Sequence, residues 1–451
     1  MENIHDLLLT WLEKLSGLVW GEYVLIPLLA ITGIYLTIGL KGMTWSHIPY
    51  AFRQLWQGRA LDEQQGDISP FQALMTALSA TIGTGNIAGV STAIYFGGPG
   101  AVFWMWFIAL FGMATKYAEA VLAVKYREKD ELGNSVGGPM YYIRNGLGKG
   151  WNWLAFSFAL FGMLASFGIG NMVQSNSVAD ELQNTFHVPT QLTGLILAIL
   201  AGAVILGGIK RIGKVAEKLV PFMALAYVAG GVLIIFLHIE NLPMAMKLIV
   251  SDAFTGSAVE GGAVGGGMWL AVRWGVARGI FSNEAGLGSA PIAHAAAKTR
   301  DPVRQGMIAM LGTFIDTIII CSMTALVIIM TGAWQQADPG APMASLAFSN
   351  GFSQGGYIVT FGLVVFAFTT ILGWSYYGER CAEYVFGVRV ILPYRLLWIV
   401  AIFLGASVKL KLVWTFADVF NGLMALPNLI ALLFLSPVVF VTTREYLKKN
   451  R

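Results

Sequence analysis

Charge is what this chain lacks most. Only 12% of its 451 residues are Asp, Glu, Lys or Arg, about half the share carried by an ordinary soluble domain. Two stretches, 68–115 and 339–378, contain no charged residue. Each is too long for a buried core helix and long enough for two membrane spans. The two cysteines, Cys321 and Cys381, lie in or beside apolar runs, which excludes a disulfide framework and a cysteine zinc pattern. There is no His-Glu-x-x-His, no Walker loop and no nucleophile elbow. Gly83, Gly85 and Ala88 do spell G-x-G-x-x-A, but inside an apolar helical run with no strand before it, so it is no dinucleotide site. What is present is apolar: 56% hydrophobic residues, 14 Trp and a mean hydropathy of +0.66 describe a polytopic membrane protein.

The start is not a secretory leader, because Glu2 and Asp6 stand where basic residues belong and no small-residue cleavage site follows. Ile4, Leu7, Leu8, Trp11, Leu12, Leu15 and Val19 recur at helical spacing, which predicts an amphipathic helix over 1–20 lying on the membrane. Eleven hydrophobic spans follow, near 24–40, 70–95, 98–124, 151–179, 188–208, 213–237, 266–297, 305–332, 356–385, 391–408 and 412–440. With the N-terminus outside, the inner connections carry 22 Lys and Arg and the outer ones 4. That bias obeys the positive-inside rule, and one missed helix would scramble it. The basic tail 441–451 is then cytoplasmic.

Apart from the first span, ten remain, five and five, over 70–237 and 266–440. Each half opens with a glycine-interrupted segment: Ala-Thr-Ile-Gly-Thr-Gly-Asn at 80–86, and Trp-Gly-Val-Ala-Arg-Gly-Ile-Phe-Ser-Asn-Glu-Ala-Gly-Leu-Gly at 274–288. Five spans per half make the halves insert in opposite senses, and glycine-broken helices at matching positions mark the binding site of a secondary transporter. An intact helix consumes its own N–H and C=O groups. A broken one frees them at mid-depth, where irregular backbone survives only beside protein or a wet cavity. Half-helix N-termini favour a carboxylate, and unwound carbonyls favour a cation. Glycines in spans also serve close helix packing, but here they accompany polar Asn86, Ser282, Asn283 and Glu284, which favours a functional break.

At these residues the chain resembles the sodium:alanine (alanine or glycine:cation) symporter family. The resemblance runs nearly end to end. It is most specific from Thr76 (Thr-Ala-Leu-Ser-Ala-Thr-Ile-Gly-Thr-Gly-Asn-Ile-Ala-Gly-Val), from Gly137 (Gly-Gly-Pro-Met-Tyr-Tyr-Ile) and from Gly279 through His294. It implies an all-α integral membrane protein of 11 transmembrane helices. The core would be a leucine-transporter-like 5+5 inverted repeat preceded by one extra helix. It further implies import of alanine or glycine with sodium as the coupling ion, no other cofactor, no enzymatic activity, and residence in a bacterial or archaeal inner membrane. No nucleic acid and no obligate protein partner is expected.

By the same resemblance, the N–H groups of Thr84 and Gly85 and the amide of Asn86 would face the substrate carboxylate. The carbonyls of Ser79, Ile82 and Phe366 and the hydroxyls of Thr369 and Thr370 would hold sodium. Neutral oxygens suit a hard monovalent cation, although helix threonines also bond back to the preceding turn. Trp374, one turn after Thr370, would wall the pocket and limit substrate size. Gln174 could bond the zwitterion or brace a helix break and is expected to contact the substrate, with Ile280, Phe281 and Ser282 on the opposite wall. Arg278 would bind the carboxylate or, preferably, pair with Glu284 as a gate. Asp316 and Asp418 need partners that the sequence does not identify. Lys116 and Glu119, three residues apart, are placed to pair, and His294 is read as packing. Proton-driven relatives of this fold often carry a Lys in the fifth core span, whereas 219–237 has no charge here. Both that absence and the threonine pair favour sodium.

Overall fold

The computed structural model describes residues 4–449 except 22, 58–64, 256–266 and 408–410. Arg59, Lys409 and Arg451 of the orientation count, and the ends 1–3 and 450–451, lie outside the described residues. The protein is almost wholly helical, with one two-stranded hairpin, Glu128–Lys129 against Ser135–Val136. Its principal helices are α1 (Ile4–Val19), α2 (Leu25–Gly39), α3 (Pro70–Thr81), α4 (Gly85–Gly97), α5 (Gly100–Lys125), α6 (Asn152–Phe167), α7 (Val173–Phe186), α8 (Thr190–Ile205), α9 (Gly208–Leu237), α10 (Gly267–Asn283), α11 (Pro302–Thr313), α12 (Ser322–Met330), α13 (Gly356–Phe386), α14 (Ile391–Ser407) and α15 (Lys411–Lys449). Seven continuous helical stretches among the described residues are long and apolar enough to cross a membrane, eight with the bent α3–α4 pair. The chain is thus a multi-pass membrane protein.

Local chemistry sets the helix ends. Ser69 and Gln72 form a reciprocal capping box with Pro70 in the first turn of α3. Between α4 and α5, within Gly-Gly-Pro-Gly at 97–100, Gly98 at φ +71° makes the turn. The pairs α6–α7 and α11–α12 each continue through an expanded π-type stretch, Gly168–Met172 and Phe314–Cys321. Helix α15 runs through the predicted tail to Lys449. Helix α1 exposes Leu7, Leu8, Trp11, Leu15 and Leu18, while Trp20 beside it donates its indole N–H to the Asp418 carbonyl of α15 at 2.9 Å.

The packing partners are α5 with α10 and α11, α6 with α13 and α15, α8 with α14, and α9 with α3 and α13. Near one end, Arg380 bridges Asp130 at 3.1 Å, Glu379 at 2.7 Å and Glu383 at 2.5 Å. Burial opposes the Asp130 charge, but hydrogen bonds from Asn134 and the nearby Arg380 hold its carboxyl below the usual range. Arg127 collects the carbonyls of Ala295, Ala297, Thr299 and Gln65, tying the segment before α3 to the segment before α11.

Close helix approach rests on glycine. The Gly275 Cα faces the Ala101 carbonyl, and a Cβ there would stand 2.8 Å from Trp104 Cβ. Gly275→Leu should destabilise the α5–α10 crossing by roughly 1–3 kcal/mol. A thermal unfolding midpoint several degrees lower in detergent would register this; an unchanged midpoint would mean that α5 and α10 are not packed this closely.

Candidate functional site

The first break follows Thr81. The Ile82 N–H makes the last bond of α3, to the Leu78 carbonyl at 2.8 Å, and Ile82 itself is extended at φ −75°, ψ 95°. The chain bends by 53° before α4. Freed N–H groups find side-chain acceptors: Gly83 N–H donates to Asn86 Oδ1 at 2.9 Å and Thr84 N–H to Gln174 Oε1 at 3.4 Å. Gln174 Nε2 in turn donates to the Ile169 carbonyl at 2.9 Å, across the π-type stretch. Gln174 therefore braces two irregular segments. Its amide oxygen on Thr84 presents to that N–H the same acceptor chemistry as a carboxylate oxygen would.

Asn86 is fully buried and committed in both directions, its Nδ2 donating to Asp316 Oδ1 at 2.7 Å. The same carboxylate accepts from Ser282 Oγ at 2.8 Å and Thr317 Oγ1 at 2.9 Å through Oδ2. Asp316, whose partners the sequence does not reveal, thus joins the two breaks. Gly85 lies against the opposite wall: a Cβ there would be 3.2 Å from Ser282 Cα and 3.3 Å from Phe281 Cδ1. Ile280 is buried on the same turn of α10.

The five residues expected around sodium draw together on α3 and α13. Thr370 Oγ1 lies 3.2 Å from the Ile82 carbonyl oxygen and 3.0 Å from that of Phe366, and Thr369 Oγ1 lies 2.9 Å from the latter. Both hydroxyls do bond back along their helix, and Thr370 also crosses to the break. Gly373 lets α3 approach, since a Cβ there would stand 2.8 Å from Ser79 Oγ. The Ser79 hydroxyl turns to the Thr76 carbonyl at 2.8 Å. All five are buried. No cluster of three or more His, Cys, Asp or Glu side chains suited to a metal occurs among the described residues. The oxygens at this point are neutral carbonyls and hydroxyls, a donor type that suits a hard cation better than a soft transition metal.

The second break follows Asn283. Glu284, Gly286 and Gly288 have φ of +57°, +93° and +81°. Glu119 Oε1 of α5 accepts from Gly286 N–H at 3.1 Å, Gly288 N–H at 3.2 Å and Asn428 Nδ2 at 2.7 Å, and Tyr142 donates to Asn428 Oδ1. Trp374 Nε1 donates to Glu284 Oε1 at 2.8 Å, and Ser289 donates to Glu284 Oε2.

Two expected pairings are not formed. Arg278 does not meet Glu284, because six helical steps of about 100° put them on different sides of the helix. Its guanidinium lies 5.3 Å from the Trp274 ring centroid and 5.5 Å from that of Phe281, in a cleft with Trp20, Arg273 and Asp418. Lys116 Nζ is buried without a hydrogen-bond partner among the described residues; Glu119, Glu284 and Asp316 are its acidic neighbours. Helical spacing brings Lys116 and Glu119 to one face, yet they form no hydrogen bond; the glycine N–H groups and Asn428 meet Glu119 Oε1, and Oε2 is buried without a partner among the described residues. His294 is buried and pairs through Nδ1 with Gln305 Nε2 at 2.8 Å.

The family model described as the sodium:alanine symporter family matches residues 5–451. The chain is 52% identical over 449 residues to the sodium/alanine symporter AgcS of Methanococcus maripaludis, covering 97% of each protein. It is 40% identical over 443 residues to the probable sodium/glutamine symporter GlnT of Bacillus subtilis, covering 97% of this chain and 90% of the relative. In fold it is similar to a mutant manganese transporter of Eremococcus coleocola, with a TM-score of 0.51 and 16% identity over 82% of this chain and 78% of the other.

Asn86→Leu would strip partners from Gly83 N–H and Asp316 Oδ1 together. Each unmet buried group costs about 1–3 kcal/mol, so a sharply lower unfolding midpoint and loss of alanine binding by calorimetry are expected. Native stability in that variant would contradict the bracing described here.

Proposed function

The chain belongs to the sodium:alanine symporter family, and from that premise we propose that it imports alanine, glycine or both with sodium by alternating access. Cation-coupled amino-acid symport follows from the family. The finer reading concerns substrate, ion site and architecture, and the observation that carries it is the meeting of Ile82, Phe366, Thr369 and Thr370 oxygens beside the first break. In this reading Ser79, Ile82, Phe366, Thr369 and Thr370 bind sodium. The substrate carboxylate meets Thr84 and Gly85, with Asn86 shaping the turn, and takes over the Thr84 N–H from Gln174. Ile280, Phe281, Ser282, Thr370 and Trp374 enclose the remainder.

The reading includes eleven spans, with a 5+5 inverted repeat over 70–237 and 266–440 after the helix at 24–40. Helices stand at all eleven expected positions, and the packing pattern supports the repeat. Exchanging the halves maps α5–α11, α6–α13 and α8–α14 onto themselves, α6–α15 onto α13–α9, and α5–α10 onto α11–α3, all of which are packed pairs. We place the N-terminus outside, the C-terminus in the cytoplasm, and α1 at the outer membrane surface.

Coupling is energetically adequate. A zwitterion moves no net charge, so one sodium at 100 mV contributes about 2.3 kcal/mol, or roughly fifty-fold accumulation before any sodium gradient. Alanine has few atoms, and at the best ligand efficiency its binding is capped near ~9 kcal/mol, which calls for a closed pocket.

Uptake into proteoliposomes, with a panel of small amino acids with and without sodium, tests this. Saturable, sodium-dependent alanine or glycine uptake is expected; a large passive current would indicate a channel instead. Thr370→Ala should raise the half-saturating sodium concentration roughly ten-fold, about 1.4 kcal/mol, whereas an unchanged sodium curve would remove Thr370 from the shell. Trp374→Ala should admit larger side chains; identical size selectivity would take Trp374 out of the pocket.

A further inference from the structure

Glu284 occupies a backbone position that its residue type disfavours. Its φ of +57° lies in the left-handed region, which glycine adopts without cost and a side chain with a Cβ adopts rarely. Glycine does stand at Gly286 and Gly288 in the same turn, both also at positive φ. A side chain kept at 284 against that preference points to a function for the side chain itself. The carboxylate is 1% exposed and is used at both oxygens, accepting from Trp374 Nε1 at 2.8 Å and from Ser289 Oγ. Both oxygens of the side chain are thus engaged by donors from other positions.

Trp374 is fixed from other sides as well. A Cβ at Gly170 would overlap the indole at Cβ and Cγ, so the glycine of the π-type stretch sets where the ring begins. Tyr377 meets it edge-on, with centroids 5.6 Å apart and planes at 70°. One turn earlier on α13, Thr370 contacts the Ile82 carbonyl of the first break. The indole therefore extends from the Gly170 side to the second break, and Glu284 holds its far end.

We propose that Glu284 is the positioning residue for substrate size: by anchoring the Trp374 indole N–H from the second break, it fixes the ring at the depth that admits alanine-sized side chains. This rests on the reading of Trp374 as a pocket wall. Glu284 contacts the substrate nowhere in this scheme; it acts through the indole. A neutral amide would still accept the N–H bond, while an isosteric thioether would not.

The test uses the full-length protein in proteoliposomes, with sodium-driven alanine uptake challenged by serine, valine and leucine. The ratio of each competitor's half-inhibitory concentration to that of alanine is read, because it is independent of how much protein is folded. Glu284→Met should lower the valine and leucine ratios by about ten-fold, Glu284→Gln should keep them within about two-fold of the parent, and Trp374→Ala should lower them at least as far as Glu284→Met. Parental ratios in Glu284→Met, with relaxed ratios in Trp374→Ala, would overturn the role of Glu284 and leave the pocket reading standing. Parental ratios in Trp374→Ala would instead remove the pocket reading. Relaxed ratios in Glu284→Gln equal to those of Glu284→Met would show that charge, rather than the indole bond, matters, and would also overturn the proposal. Should Glu284→Met fail to fold, Ser289→Ala decides: freeing the carboxylate should lower the ratios about three-fold, and parental ratios would refute it.

Discussion

A single buried carboxylate holds this structure open in the right place. Asp316 accepts from Asn86 of the first break and from Ser282 just ahead of the second, while its own helix is locally expanded around it. In a bilayer there is no water to satisfy a helix that stops halfway. The interruption persists only if side chains replace the missing backbone bonds, and here the replacements converge. Asn86 serves the Gly83 N–H with one end of its amide and Asp316 with the other. Neither break can shift far without altering the geometry of the group that supports both.

The two breaks are built from different chemistry. The first is served by amides and hydroxyls, the second by carboxylates: Glu119 on the glycine N–H groups and Glu284 on Ser289 and Trp374. In the proposed reading this separation matters, because the coupling ion must leave as readily as it arrives. The carboxylates near the breaks are engaged by N–H and O–H donors, and the oxygens that gather around Thr370 are neutral. Carbonyl and hydroxyl oxygens can replace part of a sodium ion's hydration shell, whereas an unengaged carboxylate at the same point would hold the ion far more tightly.

Much of this was legible from residues. The two long uncharged runs forced a membrane chain, and the Gly-Thr-Gly-Asn and Ser-Asn-Glu-Ala-Gly-Leu-Gly stretches located the breaks. The threonine pair and the Ile82 carbonyl, 288 positions apart for Thr370, could be joined only through family resemblance. The partners of Asp316 were not legible, because an acidic residue in a span announces that it needs donors without naming them. Arg278 and Glu284 misled for a related reason. Opposite charges in one short segment invite pairing, but the helix phase separates them and the chain turns left-handed at Glu284. Lys116 and Glu119 have the right phase and still do not pair: the distant loop's N–H groups and Asn428 all meet Glu119 Oε1, and helical spacing alone does not bring the Lys116 ammonium group to the other oxygen.

The expanded turns open gaps in the backbone ladder that side chains close. Stretches with π-type geometry occur at Gly85–Gly89, Gly168–Met172 and Phe314–Cys321, on three of the segments that frame the first break. Each widened turn leaves a carbonyl displaced from its usual partner, and side chains fill in: Gln174 donates to the Ile169 carbonyl, Ser322 to that of Thr317 and Thr324 to that of Asn86. Such turns are over-represented at functional sites, and here each is pinned by a residue that also contacts, or lies next to, a break. Gln174 and Ser322 close their turns from within the same helical stretch, and Thr324 reaches the first break from α12. The widened backbone is thus held partly by side chains one turn along and, at the first break, by a side chain from another helix, which keeps its polar groups satisfied where no water reaches them.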